Sequence, residues 1–255
     1  MSDLRFGDVS VTLTGNVAVV EMHRPPHNYF DHTLIGHLAD AFEAMDAEVE
    51  CRAIVLCSEG KSFCAGAAFG NPDRELQTGD LYAEAVRLFA AQKPVVAAIQ
   101  GPAIGGGLGV ALVADFRVAA PEARFAANFV KIGIHPGFGL THTLPRLLGE
   151  QKAALLMLTG RRLDGGAAVE WGLADQLSTL ERVREDALTL AAEIAEAAPL
   201  ALVSTRATLR AGLADAVARQ TKHERAEQDR LFQTEDHREG VRAVAERRPG
   251  NFTGR

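Results

Sequence analysis

Two short apolar runs, each followed by a loop of small residues, constrain the fold more than any other feature of this sequence. Residues 53–57 and 95–99 are too short for helices and are apolar throughout, which is typical of buried strands. The first run leads through a glycine-containing loop into a helical pattern at residues 81–91, and the second leads through a glycine-rich segment into another helix. This alternation of strand, loop and helix predicts an α/β fold.

The flanking segments extend this prediction. Apolar alternation in residues 9–13 and 17–22 predicts a β-hairpin, and helical spacing in residues 34–45 predicts the first helix. The C-terminal part of the sequence is almost entirely helical. We therefore expect a core at residues 1–198 and a helical region at residues 199–255.

Composition excludes several classes of protein. The chain has 255 residues, 47% of them hydrophobic and 24% charged, which is ordinary for a globular protein and excludes a disordered one. Its formal charge of −6 argues against general nucleic-acid binding. The longest mostly apolar stretch, residues 103–114, is too short to span a bilayer, and the first residues lack the apolar region of a signal peptide. Three cysteines without metal-ligand spacing fit a reducing compartment, so we expect a cytoplasmic protein that binds no metal.

Backbone amides at two strand ends are the first candidate site. Gly105, Gly106 and Gly107 follow one predicted strand and open a helix, where backbone N–H groups lack intrahelical partners. The other strand leads into a loop that contains Gly66 and Ala67, whose small side chains allow a ligand to approach. Two such amides can bind one oxyanion, although helix–sheet packing is an equally good reason for the three glycines. Their spacing matches neither a dinucleotide-binding fingerprint nor a Walker loop.

These same segments resemble a known family. The matching motifs are Phe63-Cys64-Ala65-Gly66-Ala67, Gln100-Gly101-Pro102-Ala103-Ile104-Gly105-Gly106-Gly107 and Asp115-Phe116-Arg117-Val118-Ala119. Over essentially its whole length the chain resembles the crotonase, or enoyl-CoA hydratase/isomerase, superfamily of fatty acid metabolism. The resemblance implies a spiral of ββα units with a C-terminal helical region that builds homotrimers or dimers of trimers. It also implies an acyl-CoA thioester as substrate, no permanently bound cofactor, and no nucleic-acid or membrane partner.

The resemblance also assigns roles to residues. The N–H groups of Ala67 and Gly106 would form an oxyanion hole for the thioester oxygen and stabilise an enolate-like state. The other positions assigned to acyl or CoA binding are Arg24, Ala65, Ala68, Gly105, Gly109, Phe129, Arg247 and Arg248. In relatives, a basic residue near the C-terminus reaches the CoA phosphates of a neighbouring subunit, and Arg247 and Arg248 are the candidates for this role.

The sequence departs from the family at the two catalytic glutamates of the hydratases. Gly109 and Phe129 stand at these positions, and neither side chain can donate or accept a proton. This argues against classical hydration and leaves isomerisation, C–C cleavage, thioester hydrolysis or an atypical hydration. A non-catalytic acyl-CoA-binding protein of the same fold is the alternative. The two substitutions also predict a roomier and more apolar acyl site.

A histidine is the candidate for the missing acid or base. His135 precedes a proline, which favours an extended conformation, and imidazole suits proton transfer at neutral pH. The alternative is a structural histidine bonded to the backbone. Asp73, Glu75 and Glu84 are further carboxylates, for which surface solvation is the favoured interpretation. Cys64 lies beside a proposed amide donor, but a small buried residue is the favoured interpretation because no partner base is evident.

Overall fold

The computed structural model describes residues 3–67 and 78–255, with only the backbone described at residues 78–80. The strands of the described part are β1 (Asp3–Phe6), β2 (Val9–Thr14), β3 (Val17–Met22), β4 (Ala53–Ser58), β5 (Val95–Ile99), β6 (Pro102–Ile104), β7 (Phe116–Ala119), β8 (Arg124–Ala126), β9 (Leu163–Asp164) and β10 (Gln176–Leu177). Its α-helices are α1 (His32–Ala47), α2 (Thr78–Ala90), α3 (Gly106–Ala111), α4 (Leu140–Leu148), α5 (Glu150–Thr159), α6 (Gly165–Trp171), α7 (Val183–Ala195), α8 (Pro199–Leu209), α9 (Leu213–Leu231) and α10 (Glu235–Ala245). A 3₁₀ helix spans Phe129–Ile132.

Two sheets organise the core. The larger sheet has the strand order β1-β2-β3-β4-β5-β7-β10, with an antiparallel meander at its β1 end and parallel pairs from β3 onward. The smaller sheet has the order β6-β8-β9. The predicted hairpin and α/β architecture are therefore confirmed, and parallel strand ends meet at one edge of the large sheet.

The continuous apolar strands are explained by burial on both faces. Ile54 and Leu56 of β4 face the larger hydrophobic cluster, which also contains α1 and α2 residues. Val55 and Cys57 of the same strand face a second cluster with α7. Because alternate residues enter different cores, the strand carries no polar alternation.

The C-terminal helices pack onto the rest of the chain. Arg206 and Arg210 of the α8 region form ion pairs with Asp115 at 2.8 and 2.9 Å, and Asp115 also accepts a 2.8 Å hydrogen bond from the Val95 amide. Helix α9 packs on α2 and α4, and α10 packs on the 3₁₀ helix. Helices α9 and α10 are separated by a break at Thr234, whose hydroxyl caps α10.

None of the described helices is by itself long and apolar enough to cross a membrane. The consecutive helices α7 and α8 together satisfy the length and apolarity requirement, but they are bent by 107° relative to each other.

Candidate functional site

The site is built where three loops run side by side, and Asn28 joins the first loop to the second. The Asn28 side chain is fully buried, and its carbonyl oxygen accepts a 2.9 Å hydrogen bond from the Arg24 amide. Its NH₂ group donates to the carbonyl oxygens of Glu59 (2.7 Å) and Ser62 (2.8 Å). Asn28 has φ +49°, a left-handed conformation that asparagine tolerates better than most residues. The loop before α1 is thereby fixed to the loop after β4.

The loop after β5 pairs with the same segment. The Ile104 amide donates to the Cys64 carbonyl, and the Cys64 amide donates to the Pro102 carbonyl, both at 3.0 Å. Gln100 reinforces this pairing, because its NH₂ group donates to the hydroxyl of Ser58 at 2.9 Å. The ends of β4 and β5 are thus continued as two adjacent parallel segments.

Glycines allow these segments to approach closely. A β-carbon on Gly66 would lie 2.7 Å from the Ile104 carbonyl oxygen and 3.8 Å from the Gly106 amide nitrogen. Gly66 also has φ +89°, a conformation that L-residues rarely adopt. A β-carbon on Gly107 would collide with the Cys64 carbonyl. Larger residues at these positions would separate the loops.

Two neighbouring backbone amides remain unused at this junction. The flanking groups are satisfied, since the Gly66 carbonyl accepts from Phe30 at 3.0 Å and the Gly105 amide donates to Ala126 at 2.8 Å. Within the described ranges, the N–H groups of Ala67 and Gly106 have no hydrogen-bond acceptor. The structure therefore brings together two unpaired donors from different loops.

The space beside Gly109 is filled. Phe138 is 1% exposed, and a β-carbon on Gly109 would lie 2.6–2.7 Å from its Cδ1, Cβ and Cγ atoms. The expectation of extra room is therefore wrong for the space into which a side chain at position 109 would project. The ring of Phe138 packs against Phe30, with centroids 5.6 Å apart, and Phe30 in turn leaves no room for a β-carbon on Gly106.

Phe129 lies near the other predicted glycine. It begins the 3₁₀ helix and is 6% exposed, and its Cζ would be 3.6 Å from a β-carbon on Gly105. Gly105 has φ +58°, so it needs glycine for its conformation. The nearest atoms to a β-carbon on Gly109 all belong to the Phe138 ring and its β-carbon, whereas a β-carbon on Gly105 would also lie 3.8 Å from Asn128 Oδ1.

His135 contacts helix α9. Its Nδ1 lies 2.7 Å from the Pro136 carbonyl oxygen, and because a carbonyl only accepts, Nδ1 carries the proton. Its ring makes an edge contact with His223, with centroids 5.6 Å apart, and Gln228 donates to its carbonyl at 2.9 Å. These contacts agree with a structural histidine bonded to the backbone. The second ring nitrogen, Nε2, has no hydrogen-bond partner in the described ranges and is therefore available for proton transfer.

The remaining predicted ligands differ in how available they are. Arg24 binds Asp8 at 2.6 Å and Asp31 at 2.8 Å, so its charge is already used within the protein. The Ala65 amide donates to the His27 carbonyl at 2.9 Å, which places Ala65 between the first two loops. Ala68 lies outside the described residues.

The two C-terminal arginines lie beyond α10, and the ion pairs of Arg248 are with Glu239 and Glu246, both at 2.5 Å, rather than with the loop junction. Arg247 is exposed and forms no ion pair in the described part of the chain. Of the two, Arg247 has the guanidinium that is available to a ligand.

Among the other titratable candidates, Cys64 is a small buried residue, as favoured, whereas Glu84 is largely buried rather than simply solvated. Cys64 is fully buried, its thiol donates to the Asn28 carbonyl at 3.1 Å, and burial raises its pKa to about 12. Glu84 forms an ion pair with Arg87. Asp73 and Glu75 lie outside the described residues.

Sequence reasoning missed the residues of α9 that hold the segment carrying His135 and Phe138. Glu224 is fully buried and accepts hydrogen bonds from the Gly139 amide (2.7 Å) and the Thr141 hydroxyl (2.6 Å). Burial raises the pKa of the Glu224 carboxyl, and these hydrogen bonds oppose that effect. In the sequence, Glu224 has the spacing that places it on one helix face with Thr221 and Gln228, and this shared face was the available signal. The structure shows that all three residues are buried.

The sheet order, the paired strand-end loops and the packed C-terminal helices define a protein of the crotonase fold. The structure superposes on an enoyl-CoA hydratase/isomerase from Pseudoalteromonas atlantica with a TM-score of 0.88 and 28% identity, covering 96% of this chain and 100% of that one. It also superposes on an enoyl-CoA hydratase from Mycobacterium avium subsp. paratuberculosis with a TM-score of 0.85 and 27% identity, covering 98% and 100%.

Sequence comparison agrees with the fold. The profile of the enoyl-CoA hydratase/isomerase family matches residues 12–255. The chain is 32% identical to a probable enoyl-CoA hydratase of Bacillus subtilis over 96% of its length and 98% of that protein. It is 31% identical to a carnitinyl-CoA dehydratase of Proteus mirabilis over the same shares of the two chains. The chain belongs to the enoyl-CoA hydratase/isomerase family, whose members act on CoA thioesters, and the predicted crotonase-like fold is confirmed.

Proposed function

We propose that this protein is an enzyme that binds an acyl-CoA thioester and stabilises its enolate through the amides of Ala67 and Gly106. The observation that carries the proposal is that these two amides lie on adjacent loops and lack acceptors among residues 3–67 and 78–255. Donors fixed in the backbone bind a developing oxyanion more strongly than a neutral carbonyl, so they lower the barrier to enolate formation. Loss of one such donor typically raises the barrier by about 2.7–4 kcal/mol.

The reaction class follows from the missing carboxylates. With Gly109 and Phe129 at the two glutamate positions, the classical addition of water lacks its acid and base. The proposed reactions are isomerisation, C–C cleavage or hydrolysis of the thioester, with atypical hydration as a further route. Each of these starts from the same polarised carbonyl.

His135 is the proposed acid–base residue. Phe138, three residues after His135, packs against Gly109, and His135 is the titratable side chain of residues 133–139. The carbonyl of Pro136 holds the proton on Nδ1, which leaves Nε2 to accept a proton. Gln228 fixes the backbone beneath the ring through its hydrogen bond to the His135 carbonyl.

One observation favours a second candidate function, a non-catalytic acyl-CoA-binding protein. Phe138 occupies the space into which a side chain at position 109 would project. Replacing Gly109 alone by a glutamate therefore could not place a carboxylate there. Such a protein would bind acyl-CoA through the same two amides without transferring a proton.

Deuterium exchange at the α-carbon of butyryl-CoA separates the two functions. An enzyme is expected to exchange the α-protons far faster than buffer, and His135→Ala is expected to reduce this rate by about 10²-fold or more. His142→Ala, on α4, is the matched control and is expected to keep the wild-type rate. Tight binding with exchange at the buffer rate would favour the binding protein, and normal exchange in His135→Ala would remove His135 from the mechanism.

CoA binding and assembly complete the proposal. Arg247 is proposed to contact the CoA phosphates of a neighbouring copy, with Ala65, Ala68 and Gly105 lining the channel. Leucines on α5 and α8 are exposed on the isolated chain, at 75% for Leu158 and 86% for Leu200, which supports a homotrimer or a dimer of trimers. Arg247→Ala is expected to weaken CoA binding, and Arg248→Ala is expected to leave CoA binding nearly unchanged. Light scattering measures the oligomeric state of the protein. Three buried free cysteines support a cytoplasmic location.

A further inference from the structure

Phe138 adopts a backbone conformation that its side chain does not favour. It has φ +61°, in the left-handed region that bulky residues rarely occupy, and lies between Gly137 and Gly139. Its ring is nevertheless fully buried. Surrounding contacts must therefore hold the residue in this conformation.

Those contacts come from α2 and α9. The Gly139 amide donates to Glu224 at 2.7 Å on one side of Phe138. On the other side, the Tyr82 hydroxyl donates to Gln228 at 2.7 Å, and a β-carbon on Gly137 would lie 2.6 Å from the Gln228 amide nitrogen. The backbone on both sides of Phe138 is thus held by buried groups of α2 and α9.

The fixed ring lies along one face of α3. Gly106 and Gly109 are three residues apart on this helix and therefore share a face. A β-carbon on Gly106 would be 3.6 Å from Phe138 Cδ2, and one on Gly109 would be 2.6 Å from Cδ1. The ring therefore spans from the proposed oxyanion donor to the next turn of the helix.

We infer that Phe138 determines acyl-chain length by closing the acyl site beyond the first few carbon atoms. This inference rests on the proposed function, because it requires the thioester oxygen to be held at Gly106. Because the ring lies beside both the Gly106 and the Gly109 positions, which are about 5–6 Å apart, an acyl chain that leaves Gly106 along this face meets the ring within its first few carbon atoms. Short acyl groups fit, and longer ones meet Phe138 and its neighbour Phe30.

The test is a binding series of acetyl-, butyryl-, hexanoyl- and octanoyl-CoA with the wild type and F138G. Burial of each methylene strengthens binding about fourfold. The wild-type affinity is expected to stop rising after butyryl-CoA, whereas F138G is expected to gain about 15-fold from butyryl- to hexanoyl-CoA. Glycine suits the left-handed backbone at this position, which limits the loss of stability.

F42A is the matched control, because Phe42 is an equally buried phenylalanine on α1. It is expected to lower stability without changing the dependence on chain length. If circular dichroism shows that F138G does not fold, F138L replaces it. F138L must then raise the affinity for hexanoyl-CoA relative to that for butyryl-CoA. A wild-type affinity that rises through octanoyl-CoA, or an unchanged ratio in the folded variant, overturns the inference. Failure of the wild type to bind any acyl-CoA instead rejects the proposed function.

Discussion

Gly107 lies directly against the backbone of Cys64. A β-carbon on Gly107 would collide with the Cys64 carbonyl and would lie 3.1 Å from the Cys64 β-carbon. Because that carbonyl also accepts from Ile104, it is fixed in place. The distance between the two loops, and hence between the amides of Ala67 and Gly106, depends on the absence of a side chain at position 107.

Gly107→Ala is therefore expected to push the loops apart. Overpacking of this kind costs about 1–3 kcal/mol of unfolding free energy, and misplacement of the amides is expected to slow α-proton exchange by about 10²-fold. The control is Gly36→Ala on α1, where the nearest atoms, those of Glu84, are 3.7–3.8 Å away. It is expected to stabilise the protein by about 0.5–1 kcal/mol and keep full exchange. Urea denaturation and exchange rates check both variants, and equal behaviour would refute the steric argument.

Asn28→Ala is expected to be strongly destabilising. It removes three hydrogen bonds from a fully buried side chain and leaves the Glu59 and Ser62 carbonyls without that partner, so we expect a loss of about 3 kcal/mol. Asn16→Ala removes one exposed bond to the Glu50 carbonyl and is expected to cost at most about 1 kcal/mol. Denaturant midpoints of the two variants measure the difference. Similar small losses would show that Asn28 does not hold the loops together.

The sequence was most informative where local pattern and burial agree. β4 and β5 were predictable because short, fully apolar runs are typical of strands covered on both faces. Helix α4 was missed, since it is short and contains Pro145. The filling of the space beside Gly109 by Phe138 could not be predicted, because it depends on tertiary packing between distant segments. The role of Asn28 could not be predicted either, because its hydrogen-bond partners Glu59 and Ser62 lie in a loop more than 30 residues away.

The thiols are expected to be unreactive in the folded protein. Burial raises the pKa to about 11 for Cys51 and about 12 for Cys57 and Cys64. Because the thiolate is the nucleophile, labelling at pH 8 should be about 10²- to 10³-fold slower than for a free thiol. In urea, all three cysteines should react rapidly. A rapidly labelled cysteine in the native state would show that its surroundings are open.

Glu224 gives a pH prediction with a definite sign. Burial raises its pKa in the folded state, so the folded chain binds this proton more tightly than the unfolded chain. Its contribution to the unfolding free energy therefore falls as the pH rises above the ordinary carboxyl value of 4.5. Between pH 4.5 and 7, the wild type should lose stability relative to Glu224→Gln.

Glu227 supplies the matched control on the same helix. Hydrogen bonding from Arg230 lowers the pKa of its exposed carboxyl, so its contribution should have the opposite sign and be lost as the pH falls. Denaturation from below pH 4.5 up to pH 7 compares the two glutamine variants with the wild type, because the Glu227 contribution changes below the ordinary value of 4.5 and the Glu224 contribution changes above it. The same direction of change in both would contradict the assignment for Glu224.

The most direct test of the account is the state of the bound thioester carbonyl. Butyryl-CoA labelled with carbon-13 at this carbonyl reports hydrogen bonding through its infrared stretching frequency. If Ala67 and Gly106 both donate to the oxygen, binding should lower the frequency, and Gly107→Ala should reduce that shift. A bound carbonyl that absorbs at the frequency of free butyryl-CoA in buffer or higher would contradict the oxyanion site.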